Sequence, residues 1–158
     1  MTDRMRNSIG AAVIALGLSC LGPAPAVADE GNSRLMGTWD VQLTIRNCAT
    51  GAVIRELKEL ATFDSAGTTV SATSGVAPAA KTSGHGTWRH LSGQTYSYRF
   101  KFFTFDNGLL TGWTIVHQEA RVDVTGNEYT SEGGVEVYNA LGTLTFSGCS
   151  TTVSTRFE

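Results

Sequence analysis

The stretch Gln94-Thr-Tyr-Ser-Tyr-Arg-Phe-Lys-Phe-Phe-Thr-Phe-Asp-Asn-Gly-Leu-Leu-Thr-Gly-Trp-Thr-Ile-Val-His-Gln-Glu-Ala-Arg-Val122 decides the fold. In its first arm, aromatic residues occupy alternate positions, namely Tyr96, Tyr98, Phe100 and Phe102. Polar residues lie between them, which is the period-two pattern of a half-buried strand. A turn sequence follows at Asp106-Asn107-Gly108. We therefore expect a long antiparallel hairpin whose aromatic face points inward.

The turn of this hairpin permits two registers. A three-residue loop with Gly108 in the left-handed conformation places Phe102 opposite Gly112 and Tyr98 opposite Val116. A two-residue turn shifts the pairing by one residue and exchanges the two faces of the second arm. That shift would turn inward a polar trio able to act in acid-base chemistry, which is His117, Glu119 and Arg121. We expect the three-residue loop, which leaves this trio on the solvated exterior.

The N-terminus is typical of a secretory signal peptide. Arg4 and Arg6 precede an apolar run over residues 9–21, and Ala26-Val27-Ala28 provides small residues for cleavage. Removing residues 1–28 of 158 leaves 130 residues, enough for a single domain over 29–158. We expect a secreted or periplasmic protein without a transmembrane segment in its mature chain, since no second apolar run is long enough to cross a bilayer.

Charge and cysteine content narrow the possible partners. The chain has a net charge of −2 and no basic cluster, so nucleic acid is not an expected partner. After removal of the signal peptide, Cys48 and Cys149 remain, and an oxidising compartment favours a disulfide between them. The protein is expected to be a monomer.

The remaining sequence predicts an all-β domain. Short turns rich in Gly, Asn and Asp separate most of eight strand-like runs, at about 38–47, 53–63, 68–74, 86–91, 94–105, 109–124, 128–138 and 143–157. Residues 55–61 contain good helix formers, but we predict a strand because Ala61-Thr62-Phe63 leads directly into a turn. Eight sequential antiparallel strands can close into an up-and-down β-barrel, which removes exposed edges.

Closure of such a barrel pairs its first and last strands. If Cys48 and Cys149 are opposed, Val41 faces Arg156, and Trp39 and Arg156 lie at the same end. Gly37-Thr38-Trp39 opening the first strand, Arg156 in the last and eight sequential strands resemble the calycin superfamily of lipocalin and avidin-type barrels. The resemblance implies that Trp39 closes the barrel floor and that Arg156 packs across it.

Strand alternation also predicts the barrel interior. Mostly apolar residues are expected there, namely Trp39, Val41, Leu43, Ile45, Leu57, Ala61, Phe63, Val70, Ala72, Trp88, His90, Tyr129, Val135, Val137, Leu144 and Phe146. A barrel of this size either fills with its own side chains or holds one small ligand. Polar residues share the inward parity, including Arg55, Glu59, Tyr96, Tyr98, Gln118, Ser131, Ser150, Thr152 and Ser154. Because buried polar groups need partners, this number favours a cavity.

We therefore expect binding of a small apolar or aromatic molecule, with the loop from Gly75 to Gly84 as a lid. The predicted ligand-binding residues are Arg55, Glu59, Trp88, Tyr96, Tyr98, Phe100, Phe102, Gln118 and Thr152. Two alternatives for Glu59 remain: it pairs with Arg55 at the rim, or its strand is slipped by one residue.

Other functions remain open. One alternative is a cofactor-free isomerase or cyclase in which Glu59 or Tyr98 transfers a proton. Another is an envelope protein with a filled core. The three histidines, His85, His90 and His117, lack the spacing of a metal site, and no cofactor is expected. No Gly-x-Ser-x-Gly motif indicates a serine hydrolase.

Overall fold

A computed structural model describes residues 34–157, so the expected signal peptide and its cleavage site after Ala28 lie outside the described residues. The described chain forms eight strands and one short 3-10 turn, η1. The strands are β1 (Gly37–Arg46), β2 (Val53–Phe63), β3 (Thr68–Thr73), β4 (Gly84–Ser92), β5 (Thr95–Asp106), β6 (Leu109–Val122), β7 (Glu128–Asn139) and β8 (Leu144–Arg156), and η1 spans Pro78–Ala80. No helix within residues 34–157 is long and apolar enough to cross a membrane.

The sheet closes into a barrel. Each strand pairs antiparallel with the next, and β8 pairs with β1. The predicted all-β, eight-stranded up-and-down barrel is thereby confirmed, and it is consistent with a calycin-like fold. β2 is a strand throughout, despite its helix formers, because Glu59, Ala61 and Phe63 are buried while the residues between them face solvent.

The central hairpin has a two-residue turn, and a bulge compensates for it. Asn107 and Gly108 both have positive φ, 49° and 80°, as this turn type requires. Further along the hairpin, Thr104 pairs with Gly112 while Phe105 pairs with Leu110, so Thr111 has no partner across the ladder. Such an extra residue is a β-bulge. The turn and the bulge each shift the pairing by one residue.

The expected pairing of this hairpin was therefore two residues off. Phe102 faces Thr114, and Tyr98 faces Gln118. The inward parity nevertheless survives, because two shifts of one residue restore the original face. His117, Glu119 and Arg121 are exposed, as predicted. The cause is the turn combined with the bulge, and not the three-residue loop from which the prediction was made.

The pairing of β1 with β8 was also predicted two residues off. Trp39 pairs with Arg156 and Arg46 with Cys149, so Cys48 lies beyond the paired part of β1. The two cysteines are not directly opposed, yet they lie at disulfide distance, with the sulfurs 2.14 Å and the Cα atoms 5.1 Å apart.

The inward and outward faces of β3 were predicted the wrong way round. Val70 is 40% exposed and Ala72 also faces out, whereas Thr69 and Ser71 are buried. The cause is the preceding turn: Oδ1 of Asp64 accepts hydrogen bonds from the backbone N–H groups of Ala66 and Thr68, each at 2.9 Å. The backbone N–H of Asp64 also donates to the carbonyl of Thr68 at 3.1 Å, and Phe63 pairs with Thr69. The predicted strand ends, 63 and 68, would instead have paired Phe63 with Thr68, and this difference of one residue exchanges the faces of β3.

Leu144 is a second exception to the predicted interior. It is 49% exposed because the register of β7 with β8 shifts at Val137 and Tyr138, and Leu144 pairs with Tyr138. Phe146 pairs with Val137 and faces the barrel mouth.

The barrel end that carries Trp39 is filled with aromatic side chains. Trp39 is fully buried, and its ring packs edge-to-face on Tyr129 with centroids 4.8 Å apart. Phe63 packs edge-to-face on Trp88 at 6.2 Å. Leu35, which precedes β1, is fully buried, and its carbonyl accepts a 2.9 Å hydrogen bond from Nε1 of Trp39.

Candidate functional site

The opposite end of the barrel contains a cavity of about 210 Å³. It lies among side chains near the loops that follow β1, β3, β5 and β7. Its walls are mainly apolar and include Leu43, Ile45, Leu57, Val76, Phe100, Phe102, Val116, Val135, Val137 and Phe146. Three ionisable residues also line the cavity: Arg55 at its rim, Glu59 and Lys81. An apolar wall with few polar groups is the usual anatomy of a small-molecule site.

A narrow recess of about 20 Å³ continues from the cavity toward the barrel centre. It shares part of the cavity wall, including Glu59 and Phe100, and adds four polar side chains, namely Tyr98, Gln118, Ser150 and Thr152. A space of this size accommodates about one water-sized group. The cavity thus has an apolar body and an inner end where polar side chains interrupt a largely apolar wall.

Glu59 is the most unusual residue of this site. β2 directs it inward, and it is only 5% exposed. Burial raises the pKa of its carboxyl to about 7, although a hydrogen bond with the Ser71 side chain and the positive charge of Lys81 oppose the shift. At neutral pH the carboxyl therefore exists in both protonation states. Both alternatives for Glu59 are wrong. β2 is not slipped by one residue, since Glu59 faces inward, and Arg55 does not pair with Glu59 but donates a hydrogen bond to the carbonyl of Gly75.

Lys81 reaches the cavity from the loop between β3 and β4. Its Nζ donates a hydrogen bond to Oγ1 of Thr73 and lies 4.8 Å from the centroid of the Phe102 ring. Desolvation lowers the pKa of its ammonium group, and the charge of Glu59 opposes that shift. A backbone bridge to Thr104 fixes its position on the edge of β5. The sequence prediction missed Lys81, because a single lysine in a loop has no periodic signal.

The polar residues below the cavity bond to one another. Oγ of Ser131 donates a hydrogen bond to Oε1 of Gln118 at 3.1 Å. It also lies within hydrogen-bond distance of Tyr98 Oη, at 3.1 Å, and of Thr152 Oγ1, at 2.7 Å. Nε2 of Gln118 donates to Oγ of Ser150. This network joins four strands and satisfies most of the buried polar groups that suggested a ligand.

The nine predicted ligand-binding residues occupy three levels of the barrel. Arg55, Glu59, Phe100 and Phe102 line the main cavity. Tyr98, Gln118 and Thr152 line only the recess. Trp88 and Tyr96 belong to the filled end, where Nε1 of Trp88 donates a 2.9 Å hydrogen bond to the carbonyl of Asp64. Those two residues line neither the cavity nor the recess.

The loop over the cavity is attached to its rim. Nη2 of Arg55 donates a hydrogen bond to the carbonyl of Gly75, and Val76 contributes to the cavity wall. Gly75 has a φ of +85°, and a Cβ there would lie 2.5 Å from Cδ2 of Leu57. Only glycine fits this backbone conformation at such close approach. The predicted lid thus packs directly on the barrel mouth.

A second concavity, of about 590 Å³, lies on the outer surface of β4 to β7. Its lining includes exposed charged or ionisable residues, namely Arg89, Arg99, His117, Glu119 and Glu132. None of these side chains is buried, so their charges remain solvated. Within residues 34–157, no group of three or more His, Cys, Asp or Glu residues is arranged to hold a metal ion. The interior cavity is the better candidate site.

Comparison with known proteins adds little to this description. No family model matches the chain, and no curated protein matches it. A crystal structure of Rv2717c from M. tuberculosis is similar at 14% sequence identity and a TM-score of 0.44, covering 80% of this chain and 94% of that chain. A likeness this distant carries no conclusion about function, and the assignment of the barrel rests on its own strand pairing.

Proposed function

We propose that this chain is an exported, calycin-like barrel that binds one small apolar or aromatic molecule in its interior cavity. The observation that carries the proposal is the cavity of about 210 Å³, with its apolar walls and its buried carboxyl at the inner end. A core filled for stability alone has few voids larger than a water molecule. The polar side chains at the inner end would orient the ligand, and the apolar wall would supply most of the affinity.

The cavity limits the size of the ligand. Its volume exceeds the roughly 150 Å³ of an engineered apolar cavity that binds benzene, so it suits one substituted aromatic ring or a short aliphatic chain. Phe100 and Phe102 offer ring faces or edges for contact with such a molecule.

Export is part of the same proposal. Cys48 and Cys149 lie at disulfide distance, and disulfides persist mainly in oxidising compartments. Residues 1–28 would serve as the signal peptide, and residues 29–158 would form the mature, single-domain protein.

A fluorescence assay tests ligand binding. The neutral, one-ring fluorescent dye 4-(dimethylamino)benzonitrile is titrated into wild-type protein and into Val116→Phe, which narrows the cavity. Ile115→Phe is the matched control, because Ile115 is adjacent in β6 but faces outward. We expect the dye to bind wild type and the control, and to bind Val116→Phe much more weakly. Equal binding to all three, or no binding to any, would contradict the proposal.

The protonation of Glu59 favours a second candidate function, a cofactor-free barrel enzyme. A carboxyl whose pKa is about 7 can both accept and release a proton at neutral pH, and an apolar wall keeps water away from it. Tyr98 is a weaker candidate because burial raises the pKa of its phenol well above the ordinary value.

The enzyme reading is tested with 5-nitrobenzisoxazole, a molecule whose ring opens when a general base removes one proton. Catalysis by wild type that is lost in Glu59→Gln, while dye binding is retained, would support it. Equal rates in both proteins would contradict the enzyme function, and ligand binding would remain as the proposed function.

A further inference from the structure

The recess has the size of a single polar group. It occupies about 20 Å³ at the inner end of the cavity, and a water molecule needs roughly 10–15 Å³ measured in this way. The main cavity above it is ten times larger and almost entirely apolar. A ligand that enters with its polar end first would therefore place about one heavy atom among the polar side chains of the recess.

The hydrogen-bond pattern shows what that atom should be. Oγ of Ser131 donates to Gln118, so the hydroxyls of Tyr98 and Thr152 donate to Ser131. Oγ1 of Thr152 then keeps an acceptor lone pair. Oγ of Ser150 accepts from Gln118, so its own proton is available to another acceptor.

Glu59 completes this set of partners. It lines both the recess and the cavity, and it hydrogen-bonds with the Ser71 side chain, whose hydroxyl has one proton to give to one carboxyl oxygen. Its second oxygen accepts a hydrogen bond when the carboxyl is ionised and can carry the proton when it is neutral. The recess thus combines one donor, one acceptor and one group that adapts to its occupant.

A hydroxyl group matches this combination. It carries one donor and two acceptor lone pairs on a single heavy atom. A carboxylate fits less well, because it has two oxygens for a space of one and would place its negative charge beside Glu59. An alkyl end would leave the remaining proton of Ser150 and the remaining lone pair of Thr152 unpaired, which costs binding free energy.

We propose that the ligand of this barrel is an uncharged molecule ending in one hydroxyl group, bound with the hydroxyl in the recess and its apolar body in the main cavity. The inference rests on the proposed binding function. The lid residues Val76 and Lys81 would then contact the far end of the ligand.

Competition among three ligands of matched shape tests this orientation. The dissociation constants of 4-ethylphenol, ethylbenzene and 4-ethylbenzoate are measured by displacement of 4-(dimethylamino)benzonitrile. We expect 4-ethylphenol to bind about five- to ten-fold more tightly than either of the other two, which is the effect of about one net hydrogen bond.

Two variants locate the effect. In Ser150→Ala, the preference for 4-ethylphenol over ethylbenzene should disappear while ethylbenzene binds as in wild type. In Ser154→Ala the preference should remain, because Ser154 is a buried serine of the same strand and lines neither the recess nor the main cavity. If Ser150→Ala fails to fold, the wild-type ranking still decides.

The outcomes separate the two proposals. Equal binding of 4-ethylphenol and ethylbenzene would overturn the inference but leave the binding function intact. Tighter binding of 4-ethylbenzoate would also overturn it, and would place the polar end of the ligand at Lys81 and the mouth. If none of the three displaces the dye, and the dye itself binds equally to Val116→Phe, the proposed function fails as well.

Discussion

The guanidinium carbon of Arg156 lies 4.3 Å from the centroid of the Trp39 ring. The two residues are direct partners across β1 and β8, the strands that close the barrel. The same guanidinium donates hydrogen bonds to the carbonyls of Met36 at 2.7 Å, Arg34 at 2.9 Å and Gly126 at 2.7 Å. One cation therefore connects the N-terminal segment, the filled end and the turn between β6 and β7.

This arrangement predicts a large cost for Trp39→Ala. Truncating a fully buried aromatic residue leaves a cavity and costs ~3–5 kcal/mol, and Arg156 also loses the ring beneath it. Chemical denaturation followed by circular dichroism measures the free energy of unfolding. Trp113→Ala is the control, since Trp113 stacks on Tyr138 on the outer surface and should cost less than ~1.5 kcal/mol. A loss below ~1 kcal/mol for Trp39→Ala would show that this end is not packed as described.

The second prediction concerns the cysteine pair. Cys48 and Cys149 are separated by 101 residues, so a bridge between them should stabilise the fold by up to ~4–5 kcal/mol through restriction of the unfolded chain. Mass spectrometry of peptides from unreduced protein should recover the two cysteines in one linked species. The double substitution Cys48→Ser/Cys149→Ser should unfold at lower denaturant concentration than wild type. Two free thiols in protein from an oxidising compartment would contradict the pairing.

The third prediction is a loss of stability with rising pH that depends on Glu59. Its pKa is about 7 in the folded protein and about 4.5 in an unfolded chain. Below the unfolded value both states carry the proton. Between the two values only the folded state keeps it, so the free energy of unfolding falls as pH rises, by a total of ~3 kcal/mol at ~1.4 kcal/mol per pKa unit.

Urea denaturation at about pH 5 and about pH 8 measures this loss. Lys81 and the Ser71 hydroxyl face the carboxyl and reduce the shift, so both are kept in the variants that are compared. Glu59→Gln should remove most of the difference between the two pH values. The control Glu119→Gln, on the outer surface, should retain it. An equal fall in Glu59→Gln would assign the pH dependence to other groups.

The fourth prediction distinguishes the cavity wall from the network beneath it. Phe102 is only partly buried and lines the cavity, so Phe102→Ala should weaken dye binding several-fold while lowering stability by less than ~1.5 kcal/mol. Tyr98→Phe should behave in the opposite way. It removes the hydrogen bond to Ser131, which costs ~0.5–1.5 kcal/mol of stability, and leaves dye affinity nearly unchanged. The reverse order of effects would place the ligand deeper in the barrel than the main cavity.

The number of strands and their approximate bounds could be predicted because their signals are local. Alternation and turn residues are visible within a few positions, and the inward parity of Glu59 followed from alternation alone. Pairing between strands was less predictable. The bulge at Thr111 and the tight turn at Asp64 depend on hydrogen bonds that a pattern of polar and apolar residues does not contain.

The candidate site was predictable in the same limited sense. Parity shows which face of a strand a residue occupies, but it does not show how far along the barrel axis the residue lies. Tyr96 and Phe100 share one face of β5, yet Tyr96 lies in the filled end and Phe100 in the cavity wall. Lys81 lies in a loop, where neither alternation nor pairing gives information about direction.

The bulge at Thr111 gives the hairpin one position where a residue can be lost without a change of register. Thr111 has no partner across the ladder, so deleting it would remove the bulge and leave Tyr98 paired with Gln118. Deleting Ile115, which has a partner, would instead shift the rest of β6 by one residue, so that Gln118 would face solvent and Glu119 would enter the barrel opposite Tyr98. The loss of one codon would thus leave the interior mostly neutral at the first position and make it charged at the second.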